Sequence, residues 1–117
     1  LICYDLRFPE LFREAVGQGA EVLIVIASWP AARSEHWVRL LQARAIENQA
    51  YAIGSNRCGS DPNVAYDGRS CGFDPLGERL FECTNADAVT TLTVDPEAVR
   101  RWRAKFPALR DANLLNA

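Results

Sequence analysis

A cysteine set between an apolar stub and a proline-started helical turn constrains this chain more than any other feature. The first ten residues read Leu1-Ile2-Cys3-Tyr4-Asp5-Leu6-Arg7-Phe8-Pro9-Glu10. Leu1 and Ile2 have the character of a buried strand's end. Pro9 suits the first position of a helix, and an acidic residue suits its positive end. A thiol at such a strand-to-helix junction sits above a sheet, facing a cleft, near backbone N–H groups that favour its thiolate. The same residue type also serves as a small core hydrophobe, and the local pattern leaves both roles open.

The rest of the pattern predicts a layered α/β fold. Helix is expected from Pro9 to Gly17, with Leu11, Phe12, Ala15 and Val16 facing inward. Glu21 to Ala27 is a nearly continuous aliphatic run, as for a strand covered on both faces. Trp29-Pro30-Ala31-Ala32-Arg33 forms the loop after it, where ligands sit in open α/β sheets. A second helix is expected from Ser34, as N-cap, to Gln49. Its apolar stripe is Trp37, Leu40, Leu41 and Ala45, with Arg44 and Asn48 continuing it and Glu47 one step away. Polar groups so placed must pair, which predicts a buried Arg44-Glu47-Asn48 network. Further strands are expected over Tyr51–Asn56, Arg69–Asp74, Glu78–Cys83 and Val89–Val94. Gly59 to Gly68 reads as a loop, and Pro75-Leu76-Gly77 as a turn. Asp95 caps a last helix that ends near Lys105.

Composition narrows the function classes. The 117 residues allow one modest domain, and 49% hydrophobic with 24% charged residues is ordinary for a globular protein. A net charge of -2 with scattered arginines gives no footprint for nucleic acid. No apolar run reaches the length of a membrane helix. The four cysteines, Cys3, Cys58, Cys71 and Cys83, lack zinc or redox spacing. Reduced thiols in the cytoplasm are the expectation.

The opening decamer resembles the nucleophile segment of the nitrilase, or carbon-nitrogen hydrolase, superfamily. The resemblance continues in order through Ser28-Trp29-Pro30, His36-Trp37, the stretch Ala43 to Tyr51, Asn56-Arg57-Cys58-Gly59, Gly68-Arg69-Ser70, Asp74 to Glu78, and Lys105-Phe106-Pro107. The Trp-Pro loop and the Lys-Phe-Pro tail are most similar to the omega-amidase branch, which hydrolyses the terminal amide of α-keto acids.

This resemblance implies the C-terminal part of an α-β-β-α four-layer sandwich, residues 1–117 being the C-terminal portion of a single domain whose N-terminal part is missing. The absence of methionine and the start in mid-strand agree with that expectation. It implies an amidohydrolase that cleaves a carboxamide through a thioester on Cys3, with the backbone N–H of Tyr4 as an oxyanion donor. The superfamily's acid/base glutamate and its lysine precede the cysteine, but only two residues do so here. Lys105, the sole lysine, belongs to the tail motif. One third of the Glu-Lys-Cys triad is therefore present, and the fragment alone is expected to be inactive.

Arg33 and Arg57 are the candidates for a substrate carboxylate, with Trp29 as a pocket wall. Arg7 and Glu10 are expected to brace the nucleophile turn. His36 offers a Cys-His pairing and Glu47 a general base, but structural roles fit both better. Cys58, Cys71 and Cys83 are expected to be dispensable for chemistry. No metal or organic cofactor is implied. The expected partner is a small-molecule amide of the 2-oxoglutaramate type, with the complete protein a homo-oligomer. Competing readings are an amidase for deaminated glutathione or an N-carbamoyl compound, and a non-catalytic pseudoenzyme or interaction module.

Overall fold

A computed structural model describes residues 1–116. A tight turn over Cys3–Arg7 leads into helix α1, Pro9–Gly17, with Pro9 at its first position. Strand β1 is Val22–Ala27, and a short turn over Ala31–Arg33 precedes helix α2, Ser34–Asn48. Strands β2, Tyr51–Asn56, β3, Cys58–Ser60, β4, Ala65–Asp67, β5, Cys71–Phe73, and β6, Arg79–Glu82, follow. Helix α3 is Pro96–Lys105.

The main sheet runs β1-β2-β5-β6, and β3 and β4 form a separate two-stranded hairpin. β1 and β2 are parallel in register Val22↔Tyr51 to Ala27↔Asn56, which requires the crossover that α2 supplies. β5 and β6 add antiparallel. Ahead of α1, Ile2 bridges Ile26 in parallel, and the Leu1 carbonyl accepts from Ile26 N–H. The Cys3–Arg7 turn thus springs directly from the edge of β1.

The core lies between α1 and α2 and one face of the sheet. Phe12, Leu23, Val25, Trp37, Leu41 and Phe73 are among its buried side chains. Gly54 of β2 lies directly under α2, where a Cβ would overlap Trp37 and Leu41 side-chain atoms. Glycine lets helix and sheet approach this closely.

The structure departs from the sequence expectation at six places. The aliphatic run of β1 is not covered on both faces: Leu23 and Val25 are buried, but Ile24 and Ile26 are 55% and 54% exposed. Helices pack on one face only, so alternation leaves the other face of β1 open. Leu11 does not join the inner face of α1, being 39% exposed, whereas Phe12 and Val16 do. The α2 N-cap is Arg33; Ser34 begins the helix, and its hydroxyl accepts from Arg69. The predicted loop Gly59–Gly68 contains the β3–β4 hairpin, whose turn is held by Asp61: its Oδ1 accepts from Asn63 and Val64 N–H. Val89–Val94 forms no strand; Val89 is almost fully exposed, and the segment finds no ladder partner. The strand expected over Arg69–Asp74 shortens to Cys71–Phe73, because Gly68 and Arg69 both take positive φ, 70° and 56°. Asp95 does cap α3, its Oδ1 accepting from Glu97 N–H at 3.0 Å.

Candidate active site

Cys3 is half-buried at the first position of its turn and has φ 45°, left-handed for a residue that carries a Cβ. Non-glycine residues hold that conformation only when their surroundings over-determine it, and such residues cluster at functional sites. The restraints are visible. Asp5 Oδ2 accepts from Ile2 N–H at 3.0 Å, and Asp5 N–H donates to the Ile2 carbonyl at 3.0 Å. From behind, Arg44 Nε and Nη2 both donate to the Leu6 carbonyl, at 3.2 and 2.8 Å. The thiol itself makes one long contact, 3.9 Å, to the Ser28 carbonyl at the end of β1.

A cavity of about 70 Å3 opens beside this thiol, lined by Cys3, Tyr4, Arg7, Trp29, Pro30 and Arg33. Trp29 is its keystone. The indole is 3% exposed, packs against Trp37 and carries the Arg7 guanidinium 4.8 Å from its ring centroid. Its Nε1–H donates to the Arg33 carbonyl at 2.8 Å, closing the Ala31–Arg33 turn. Two arginines and one thiol therefore line a small recess with an aromatic floor. No carboxylate and no lysine line it.

Arg33 and Arg57, equivalent candidates in the sequence, part company in the structure. Arg33 lines the thiol's cavity. Arg57 stacks 4.3 Å from the Tyr66 ring centroid, lies 3.9 Å from Asp61, and borders a different cavity of about 370 Å3. Tyr4 sits beside Cys3 with its ring exposed, edge-on to Phe8 at 5.1 Å. Arg7 faces the recess and donates from Nη2 to His36 Nδ1 at 3.3 Å, so it lines the cavity rather than bracing the turn. Glu10 is exposed on the first turn of α1 and makes no ion pair among the described residues. The bracing expected of Arg7 and Glu10 falls instead to Asp5 and Arg44. Asp5 followed by a turn was a signal open to sequence reading, as a side-chain acceptor for a nearby backbone N–H.

The Arg44-Glu47-Asn48 network is present. Arg44 Nη1 pairs with Glu47 Oε1 at 2.9 Å, and Asn48 Nδ2 donates to the Arg44 carbonyl. Glu47 does not line the thiol's cavity. The other cysteines lie outside this recess. Burial pushes the Cys71 thiol up to about 12. Cys58 donates to Asp87 Oδ1 at 3.2 Å, and that bond raises its pKa. Cys83 contacts Thr90 Oγ1 at 3.3 Å. No cluster of three or more His, Cys, Asp or Glu is arranged for a metal among the described residues, and no helix there is long and apolar enough to cross a membrane.

Comparison with known proteins decides the family. The carbon-nitrogen hydrolase family model matches residues 1–104. The chain belongs to the carbon-nitrogen hydrolase family. It is 47% identical over 118 aligned positions to the omega-amidase YafV of Escherichia coli K12, covering 97% of this chain and 44% of that protein. It is 40% identical over 111 positions to the 2-oxoglutaramate amidase of Bacillus subtilis strain 168, covering 95% and 43%. A crystal structure of a carbon-nitrogen hydrolase superfamily protein from Xanthomonas campestris, with an arsenic adduct in its active site, superposes with a TM-score of 0.86. That match is 38% identical and covers 94% of this chain and 44% of the other. The chain thus spans somewhat under half the length of these relatives, and its α/β fold is part of the nitrilase-type domain.

Proposed function

We propose that the complete protein is an amidohydrolase of the omega-amidase type, acting on the terminal carboxamide of an α-keto acid such as 2-oxoglutaramate. The observation that carries this reading is the recess itself, which a cysteine with a left-handed backbone shares with Arg7, Arg33 and one indole. Omega-amidase and 2-oxoglutaramate amidase relatives at 40–47% identity support it.

In this reading Cys3 is the nucleophile. Its thiolate attacks the carboxamide carbon, the C–S bond forms, and charge develops on oxygen, toward which the Tyr4 backbone N–H donates. The C–N bond then breaks and ammonia leaves with a proton from the acid/base glutamate of the complete protein. Water, deprotonated by the same group, attacks the thioester and releases the carboxylate. Arg33 takes the substrate's distal carboxylate as a planar, charge-assisted partner, and Trp29 walls the keto acid. Arg57, held on Tyr66 and lining another cavity, is the weaker candidate for that carboxylate. Residues 1–117 form the C-terminal portion of one domain, and a second β layer covers the open face that carries Ile24 and Ile26. The protein works in the cytoplasm as a homo-oligomer, on a small-molecule amide, without nucleic acid or membrane.

Ammonia release from 2-oxoglutaramate and from a neutral aliphatic amide tests this reading. The complete protein should prefer the keto acid amide, and Arg33→Ala should erase most of that preference. Equal turnover of both amides by the unaltered protein would overturn it.

A further inference from the structure

Asn56, the last residue of β2, uses every hydrogen-bonding atom of its side chain on Trp29 of the recess and on the Gly68 turn. Its Oδ1 accepts from Trp29 N–H at 2.7 Å. Its Nδ2 donates to the Gly68 carbonyl at 2.7 Å and to the Trp29 carbonyl at 3.4 Å. Its backbone N–H donates to Ser70 Oγ at 2.8 Å. The orientation of the carboxamide follows from its partners, because a peptide N–H can only donate and the two carbonyls can only accept. Asn56 therefore clamps Trp29 on both sides of its backbone and ties it to the Gly68 turn.

The clamp is one end of a continuous chain of contacts. Trp29 in turn fixes the Arg33 carbonyl through its indole N–H and supports Arg7 on its ring face. The Arg7 guanidinium and the Arg33 backbone are thus both held by one tryptophan, whose own backbone is set by one asparagine. Asn56 is not itself a lining residue of the thiol's cavity and reaches it only through the Trp29 backbone.

We propose that Asn56 is a positioning residue for anion selectivity: it holds Trp29, and through it Arg33 and Arg7, where a carboxylate beside the Cys3 thiol is recognised. This rests on the reading of Arg33 as the carboxylate partner. Aspartate in this place keeps the size and the acceptor but loses both donors and sets a carboxylate against two carbonyl oxygens. The near-isosteric Asn56→Asp should therefore be at least as harmful as Asn56→Ala, which is the reverse of what side-chain size alone dictates.

The test uses the complete protein with Asn56→Ala, Asn56→Asp, Trp29→Phe and Arg33→Ala. Trp29→Phe removes the indole N–H together with part of the ring that supports Arg7, and checks the same chain of contacts if the Asn56 variants do not fold. Two readouts are taken: kcat and KM for 2-oxoglutaramate against a neutral aliphatic amide, and the alkylation rates of Cys3 by iodoacetate and iodoacetamide, followed on its own peptide by mass spectrometry. Misplacing a binding group by an ångström can cost up to about a hundredfold, so in the Asn56 variants we expect KM for 2-oxoglutaramate to rise about tenfold or more, with turnover of the neutral amide within about twofold. The iodoacetate-to-iodoacetamide ratio at Cys3 should fall in parallel. Equal loss toward both amides, or an unchanged alkylation ratio in folded variants, would overturn the proposal. If Arg33→Ala spares KM for 2-oxoglutaramate while the Asn56 variants still lower the alkylation ratio, the substrate reading fails and the positioning role stands.

Discussion

Cys3 holds a left-handed conformation at φ 45°, which disfavours any residue with a Cβ by about 1–2 kcal/mol. Glycine is free of that penalty, so Cys3→Gly in the complete protein should unfold at higher urea, by about 1 kcal/mol, while losing all turnover. A stability equal to or below the parent's would show that the turn is not strained. Arg44 carries the opposite burden. Its buried guanidinium satisfies the Leu6 carbonyl and pairs with Glu47, so Arg44→Ala should cost about 3 kcal/mol or more in chemical denaturation. Glu47 is about one third exposed, and Glu47→Gln should cost about 1 kcal/mol, with any loss of rate following from a displaced turn. Full stability with complete loss of turnover in Glu47→Gln would instead make it a catalytic group. The pairing of Arg44 with Glu47 was legible because charges on an apolar helix stripe must find partners. That the Leu6 carbonyl would be the second partner was not, since nothing local to α2 points to a turn 38 residues earlier.

At the scale of elements, helices were read well and short strands poorly, for a physical reason. Pro9, Asp95 and the 3.6-residue apolar spacing are local signals. Strands of three residues, such as β3, β4 and β5, depend on partners that a window of sequence does not contain. The β3–β4 hairpin exists because Asp61 organises its turn, and that dependence has a pH signature. Backbone N–H groups of Asn63 and Val64 hold the Asp61 carboxyl below its ordinary 3.8. A depressed carboxyl stabilises the fold above its ordinary pKa and loses that contribution as pH falls through the lower, folded value. Amide exchange at Val64 should thus stay slow, relative to its intrinsic rate, down to about pH 4 and lose protection below it. In Asp61→Asn the acid step should vanish; an unchanged step would assign it elsewhere. Glu35, held low by Arg69, has the same sign, with an ordinary value of 4.5. Gly54 gives a packing counterpart: Gly54→Ala drives a methyl into Trp37 and Leu41 and should cost about 1–3 kcal/mol in thermal or urea unfolding.

For the whole molecule, a sheet with helices on one face and isoleucines open on the other is one side of a layered domain. The aliphatic run of β1 signalled burial on both faces, and the structure meets that demand only on the side of Leu23 and Val25. The same division runs through the chemistry, because the recess has a thiol, an aromatic floor and two cations but no acid/base group. The 117-residue chain by itself should therefore release no ammonia from any amide, and comparable turnover by chain and complete protein would refute the mechanism. The central claim is that Cys3 carries the acyl group. Its most direct test is a rapid acid quench of the complete protein during turnover of 2-oxoglutaramate, with peptide mass spectrometry to locate the thioester. An acyl adduct is expected on the peptide containing Cys3, absent from Cys3→Ala, which should also be inactive. An adduct on the peptides of Cys58, Cys71 or Cys83, or ammonia release by Cys3→Ala, would contradict it.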